Sequence, residues 1–187
     1  MQQNEVNGSL ASKVSSKLKD YQQLMKFTLS FTVVFSSVVC YLLVPDIEFD
    51  IISVLLLFVG GLLVTGAANA INQIAEKDTD AMMKRTANRP VASGRMTVDE
   101  ASTFAALAAV IGIFIIGLWF NWTAAGISGL SLFLYGFIYT PLKKVHSIAV
   151  LVGAIPGALP CLIGWAAGDP ELGIGGWIMF SLQFFWQ

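Results

Sequence analysis

Residues 51–90 read IISVLLLFVGGLLVTGAANAINQIAEKDTDAMMKRTANRP. No charged side chain occurs before Glu76. A spanning helix needs about 20 mostly apolar residues, and residues 51–75 supply that length. In lipid the backbone must satisfy its own hydrogen bonds, which leaves helices and closed barrels. Barrel strands are shorter and alternate apolar with polar residues, and this stretch does neither. The run is therefore read as a transmembrane helix that ends in a dense charged segment.

The rest of the chain follows the same pattern. Of its 187 residues 56% are apolar and 12% charged, about half the charged share of a soluble domain. Apolar runs at roughly 24–44, 51–75, 99–120, 123–140 and 148–168 predict five full spanning helices, and a sixth begins near 173 and is cut short by Gln187. The expected class is all-α: a polytopic transmembrane helix bundle embedded in a lipid bilayer. Residues 1–23 are read as a cytoplasmic N-terminal tail and 24–187 as one membrane domain. The tail lacks a long apolar core and contains no arginine, unlike a secretory signal or a transit peptide.

The eleven basic residues fall in three places. Lys13, Lys17, Lys19 and Lys26 precede helix 1. Lys77, Lys84, Arg85, Arg89 and Arg95 separate helices 2 and 3. Lys143 and Lys144 separate helices 4 and 5. The alternate connections PDIEFD (45–50), FNW (120–122) and GDPELG (168–173) have none. Basic connections stay in the cytoplasm, which predicts a cytoplasmic N terminus in a cell inner membrane, with the mitochondrial inner membrane second. The short connections predict hairpins of helices 1–2, 3–4 and 5–6. Pro156 and Pro160 predict a kink or break in helix 5. Cys40 and Cys161 lie in apolar runs and read as packing residues. The formal net charge of −1 gives no reason to expect a nucleic-acid partner.

Asn72, Glu76 and Asp80 are four residues apart. On a helix each such step drifts only about 40°, so their oxygens form one stripe, extended deeper by Asn69 and Thr65. Asp78 projects elsewhere. Mg²⁺ favours such oxygen donors and commonly binds through one or two carboxylates plus substrate phosphates. Lys84, Arg85 and Arg89 follow, suited to the remaining charge of a diphosphate. In YGFIYTPLKK (135–144), Tyr139 and Lys143 lie at the same membrane depth. The competing reading is plain: a basic cytoplasmic loop with acids at a helix end, and a tyrosine and lysine at an interface. The only histidine, His146, reads as a loop residue rather than a heme ligand.

The pattern Asn72-Gln73-x-x-Glu76-x-x-x-Asp80, followed by Lys84-Arg85-Thr86-x-Asn88-Arg89-Pro90, resembles the first acidic motif of the UbiA superfamily of intramembrane prenyltransferases. Gln73 and Glu76, where most of that family has Asp, are similar to the protoheme IX farnesyltransferase branch. So are Tyr139-Thr140-Pro141-Leu142-Lys143-Lys144, Pro160-Cys161-Leu162-Ile163-Gly164-Trp165 and the closing Phe184-Phe185-Trp186-Gln187. The resemblance spans about residues 25–187. It implies a bundle of nine helices, of which this chain matches about the first six, with the family's second acidic motif beyond them. It implies Asn72, Glu76 and Asp80 as catalytic Mg²⁺ and diphosphate residues, and Lys84, Arg85, Arg89, Tyr139 and Lys143 as diphosphate-binding residues. The implied substrates are farnesyl diphosphate and heme b, giving heme O. Two other functions fit the residues: a prenyltransferase with an aromatic quinone-precursor acceptor, and a cation transporter.

Overall fold

The computed structural model describes residues 14–187. Lys13 and the first part of the expected tail lie outside the described residues. The helices are α1 (Val14–Leu24), α2 (Phe27–Leu42), α3 (Ile51–Ala75), α4 (Lys77–Met82), α5 (Val98–Trp119), α6 (Trp122–Phe133), α7 (Thr140–Leu142), α8 (Ala149–Gly168) and α9 (Ile174–Trp186). A π-helical turn, Leu134–Tyr139, joins α6 to α7. No strand occurs among the described residues.

Four helical segments are long and apolar enough to cross a membrane: α3, α5, Trp122–Leu142 and α8. The bent pair α1 and α2 makes a fifth if taken as one span, and α9 is apolar but shorter. This is a multi-pass membrane protein. Its first helix is not the single straight span over 24–44 that hydropathy predicts. The chain turns by 53° between α1 and α2, with Lys26 in the left-handed region at φ 48° and ψ 57°. Residues 14–23 of the expected tail are helical, within α1. They are tied down by Lys17 to Glu100 at 2.9 Å and by Arg95 to Asp20 at 2.8 Å.

Large apolar side chains face outward, among them Phe35, Leu55, Phe114 and Leu118. The interior is built largely from small residues such as Ala67, Ala70, Ala105 and Ala124. Lipid is as apolar as leucine, so close backbone approach rather than water exclusion drives this packing. A Cβ on Gly112 would lie 2.8 Å from the Gly60 carbonyl oxygen, and one on Gly164 would overlap the Ser37 carbonyl. These two contacts explain a departure from simple hairpin order. The three expected hairpins do touch, yet the most extensive packing joins α3 to α5 and α2 to α8. α8 is the central helix, 67% buried against 22–33% for the other three spans.

α8 runs through both Pro156 and Pro160 as one helix, with no break. Pro160 has no N–H to offer the Pro156 carbonyl four residues back, and the Ser131 hydroxyl reaches that carbonyl instead, at 3.5 Å. Three of the helices, α3, α5 and α6, start from side-chain caps. Asp50 accepts from the N–H of Ile52 and Ser53, Thr97 from Glu100, and Asn121 from Ala124. These satisfy donors that a helix N-terminus leaves free.

Candidate diphosphate site

α3 stops at Ala75 because Glu76 leaves helical geometry, at φ −103° and ψ 6°. The four-residue bonds nevertheless continue across the break: Glu76 N–H to Asn72 O at 3.1 Å, and Asp80 N–H to Glu76 O at 2.7 Å. Asn72, Glu76 and Asp80 therefore keep a common face although two helices carry them. Asn72 and Asp80 are buried and Glu76 is largely so, whereas Asp78 is exposed.

Three cations meet this stripe. Lys143 Nζ lies 2.9 Å from Glu76 Oε1. Arg89 Nη1 lies 2.6 Å from Asp80 Oδ2 and 3.9 Å from Glu76 Oε2. Lys26 Nζ donates to Asn72 Oδ1 at 3.0 Å, while Asn72 Nδ2 donates to Thr140 Oγ1 at 3.3 Å. Arg89 reaches back because the 83–89 turns fold the chain over α4. The buried Thr86 hydroxyl pins that fold by donating to Asp80 O at 3.0 Å. Lys84 and Arg85 ride the outside of the same turns. Both are exposed and have no hydrogen bond or ion pair among the described residues. The structure thus brings together Asn72, Glu76, Asp80, Arg89 and Lys143, and leaves Lys84 and Arg85 at the rim.

Tyr139 lies beside this group. Lys143 Nζ sits 5.2 Å from its ring centroid, within cation–π range. Gly153 of α8 makes room for the ring, since a Cβ there would come within 2.6 Å of it. The π-helical turn sets Tyr135 next to Tyr139, with centroids 5.4 Å apart, and buried Thr140 donates back to Tyr135 O at 2.8 Å. Such turns recur at functional sites. Lys144 serves the helix instead. Its ammonium caps the α3 carbonyl of Ala75 at 2.8 Å, the favourable place for a cation at a helix C-terminus. His146 Nδ1 accepts from the Ile148 N–H at 3.0 Å, a loop role.

Lys26 is a site residue that sequence reasoning misses, since along the chain it reads only as a cation preceding helix 1. It lies at the bend between α1 and α2. Charge patterning gives no signal for it, because its placement depends on a left-handed backbone at a lysine.

For Mg²⁺ the described residues offer two carboxylates and one amide, with no group of three or more His, Cys, Asp or Glu side chains gathered for a metal. Each carboxylate already has a cation, and one lone pair of Asn72 Oδ1 is taken by Lys26. This donor set fits a Mg²⁺ ion shared with a diphosphate, the manner in which that ion usually binds.

Comparison with known proteins places the geometry in context. The model of the UbiA prenyltransferase family matches residues 33–187. A protein named protoheme IX farnesyltransferase from Flavobacterium psychrophilum is 44% identical over 176 residues, covering 93% of this chain and 58% of that relative. A mitochondrial protein of the same name from Arabidopsis thaliana is 37% identical over 168 residues, 89% of this chain and 39% of the relative. The chain thus spans 58% of the Flavobacterium relative's length. Among solved structures, one described for digeranylgeranylglyceryl phosphate synthase superposes with a TM-score of 0.76 at 27% identity, covering 90% of this chain and 59% of the other. A UbiA homolog from Archaeoglobus fulgidus bound to DMAPP and Mg2+ gives 0.70 at 16% identity, covering 89% and 59%. With the family model matching most of its length, and with a charged site at one end of an all-helical bundle, this chain belongs to the UbiA prenyltransferase family.

Proposed function

We propose that the protein to which this chain belongs transfers a farnesyl group from farnesyl diphosphate to a vinyl group of heme b, yielding heme O and diphosphate. The observation that carries the site is the convergence of three cations on the stripe: Lys143 and Arg89 on Glu76, Arg89 on Asp80, and Lys26 on Asn72, each within hydrogen-bond or ion-pair distance. The name shared by relatives up to 44% identical supports the acceptor.

The allylic C1–O bond breaks with its electron pair leaving on the diphosphate. The vinyl π bond then attacks the farnesyl cation, and water adds to the resulting cation with loss of a proton. In this reading Glu76 and Asp80 would hold Mg²⁺, with Asn72 as a third donor. When bound, the ion supplies charge stabilisation to the leaving group. Lys26, Arg89 and Lys143 turn their N–H donors to the diphosphate oxygens. Preorganised donors are worth most in such a water-poor setting. Tyr139 holds the Lys143 ammonium over its ring. Lys84 and Arg85, exposed at the rim, attract the anionic head as it approaches. Apolar helices exclude water and accommodate the farnesyl tail. The basic residues of the site end would face the cytoplasm by the positive-inside rule, in a bacterial inner membrane.

The test is to incubate the complete protein in membranes with labelled farnesyl diphosphate and Mg²⁺, offering heme b or 4-hydroxybenzoate. Label should pass to heme b alone. Transfer to 4-hydroxybenzoate instead would establish an aromatic acceptor, and cation flux without any diphosphate requirement would establish a transporter.

A further inference from the structure

Two neighbouring stripes run along α3. Asn72 joins the charged site, while Gly66, Asn69 and Gln73 follow i, i+3, i+7 spacing and face the bend between α1 and α2. Gln73 is 1% exposed. Its Nε2 donates to two successive backbone carbonyls, Gln23 at 2.9 Å and Leu24 at 3.0 Å. Asn69 Nδ2 donates to the next carbonyl, Met25, at 3.1 Å. Gly66 makes room for the Met25 side chain, which would stand 2.7 Å from a Cβ there. The residue after these three is Lys26, whose ammonium is received by Asn72. Four consecutive residues of the bend are thus held by one helix, α3.

We infer that Asn69 and Gln73 form an amide clamp that positions Lys26 in the diphosphate site. The inference rests on the proposed function for what Lys26 binds. It goes further in assigning positioning roles to two residues that touch no substrate. The chemistry of Gln73 is specific. Leu24 O and Gln23 O are end-of-helix carbonyls; Gln23 O also accepts from the Lys26 N–H at 3.2 Å, and Leu24 O takes its donor from Gln73. A carboxylate at 73 would offer none and would set an anion against two carbonyl oxygens. Gln73 Oε1 is buried without a partner among the described residues, so the side chain is placed for its N–H groups. Without these donors the bend would relax from its left-handed residue, and the Lys26 ammonium would swing off Asn72 toward water.

The experiment uses the complete protein in lipid nanodiscs, with inorganic pyrophosphate and Mg²⁺ as the probe, and compares wild type, K26M, Q73M and the double variant. A charge-assisted hydrogen bond is worth enough to move affinity about tenfold. K26M and Q73M should each weaken pyrophosphate binding on that scale, and the double variant should bind no more weakly than K26M alone. Losses that multiply would overturn the clamp, as would a Q73M protein that binds like wild type while K26M does not. Amine-reactive labelling gives a second readout. Lys26 should be protected relative to exposed Lys19 and become reactive in Q73M; protection retained in Q73M contradicts the inference. If Q73M fails to fold, N69A removes the bonds from Asn69 Nδ2 to Met25 O and to Ser30 Oγ and should expose Lys26 in the same assay; continued protection there also contradicts it. E76A separates the two levels. If E76A binds Mg²⁺-pyrophosphate as wild type does, the site reading fails, while the labelling result still decides the clamp.

Discussion

Arg89 is the side chain on which the site geometry turns, because one guanidinium nitrogen faces both Asp80 and Glu76. Lysine has a point charge on a flexible stem and cannot reproduce the rigid fork of arginine donors. R89K should therefore lower kcat/KM at least about tenfold, equivalent to ~1.4 kcal/mol, as measured by steady-state turnover. Lys84 and Arg85 make the opposite case. They are exposed and outside the ion-paired cluster, and under the proposed function they would act at a distance. K84M and R85M should raise KM modestly at low salt and leave kcat unchanged. The effect should vanish near 1 M salt, where screening shortens to about 3 Å. An effect on kcat that survives high salt would place them in contact with substrate.

At the scale of elements, the helix contacts predict where a single methyl group matters. G164A forces a Cβ onto the Ser37 carbonyl between α2 and α8. Overpacking of this kind costs about 1–3 kcal/mol and should appear as a lower Tm in detergent. Gly126, in α6, would place an added methyl in open space, with nothing within 4 Å. G126A should leave Tm unchanged or raise it, since alanine is the better helix former. A G164A protein as stable as wild type would contradict the close crossing of α2 and α8. The cap of α3 has a pH signature. Hydrogen bonds from the Ser53 hydroxyl, the Ser53 N–H and the Ile52 N–H hold the Asp50 carboxyl below its ordinary 3.8. A depressed pKa means that the contribution is present above that value and lost as pH falls through the folded one. D50A should therefore lower Tm at neutral pH and bring Tm closer to wild type in strong acid.

Across the whole molecule, hydropathy carries most of the fold. It predicts the second span at 51–75, which is α3, Ile51–Ala75, and the fifth at 148–168, which is α8, Ala149–Gly168. Lipid makes these helices legible, because an uncharged run of that length has no other way to satisfy its backbone. The stripe of Asn72, Glu76 and Asp80 is legible from spacing, and survives a helix break that spacing does not show. What stays hidden depends on contacts between distant segments. The bend at Lys26 is held by amides more than forty residues away. The carbonyl that Pro160 leaves without its helical donor in α8 is met by a serine from α6. The packing order follows close backbone approach at Gly112 and Gly164 rather than loop length. The charged end of the bundle and its acidic opposite end, at Asp46, Glu48, Asp50, Asp169 and Glu171, are readable because the acidic loops contain no basic residue.

The most direct measurement is anomalous scattering from Mn²⁺ in crystals of the complete protein with a non-hydrolysable farnesyl diphosphate analogue. The expected result is a Mn²⁺ peak within ligand distance of Glu76 and Asp80, with Arg89 and Lys143 on the diphosphate oxygens. Mn²⁺ bound away from both carboxylates, with the Glu76–Lys143 and Asp80–Arg89 pairs intact beside the bound analogue, would contradict it.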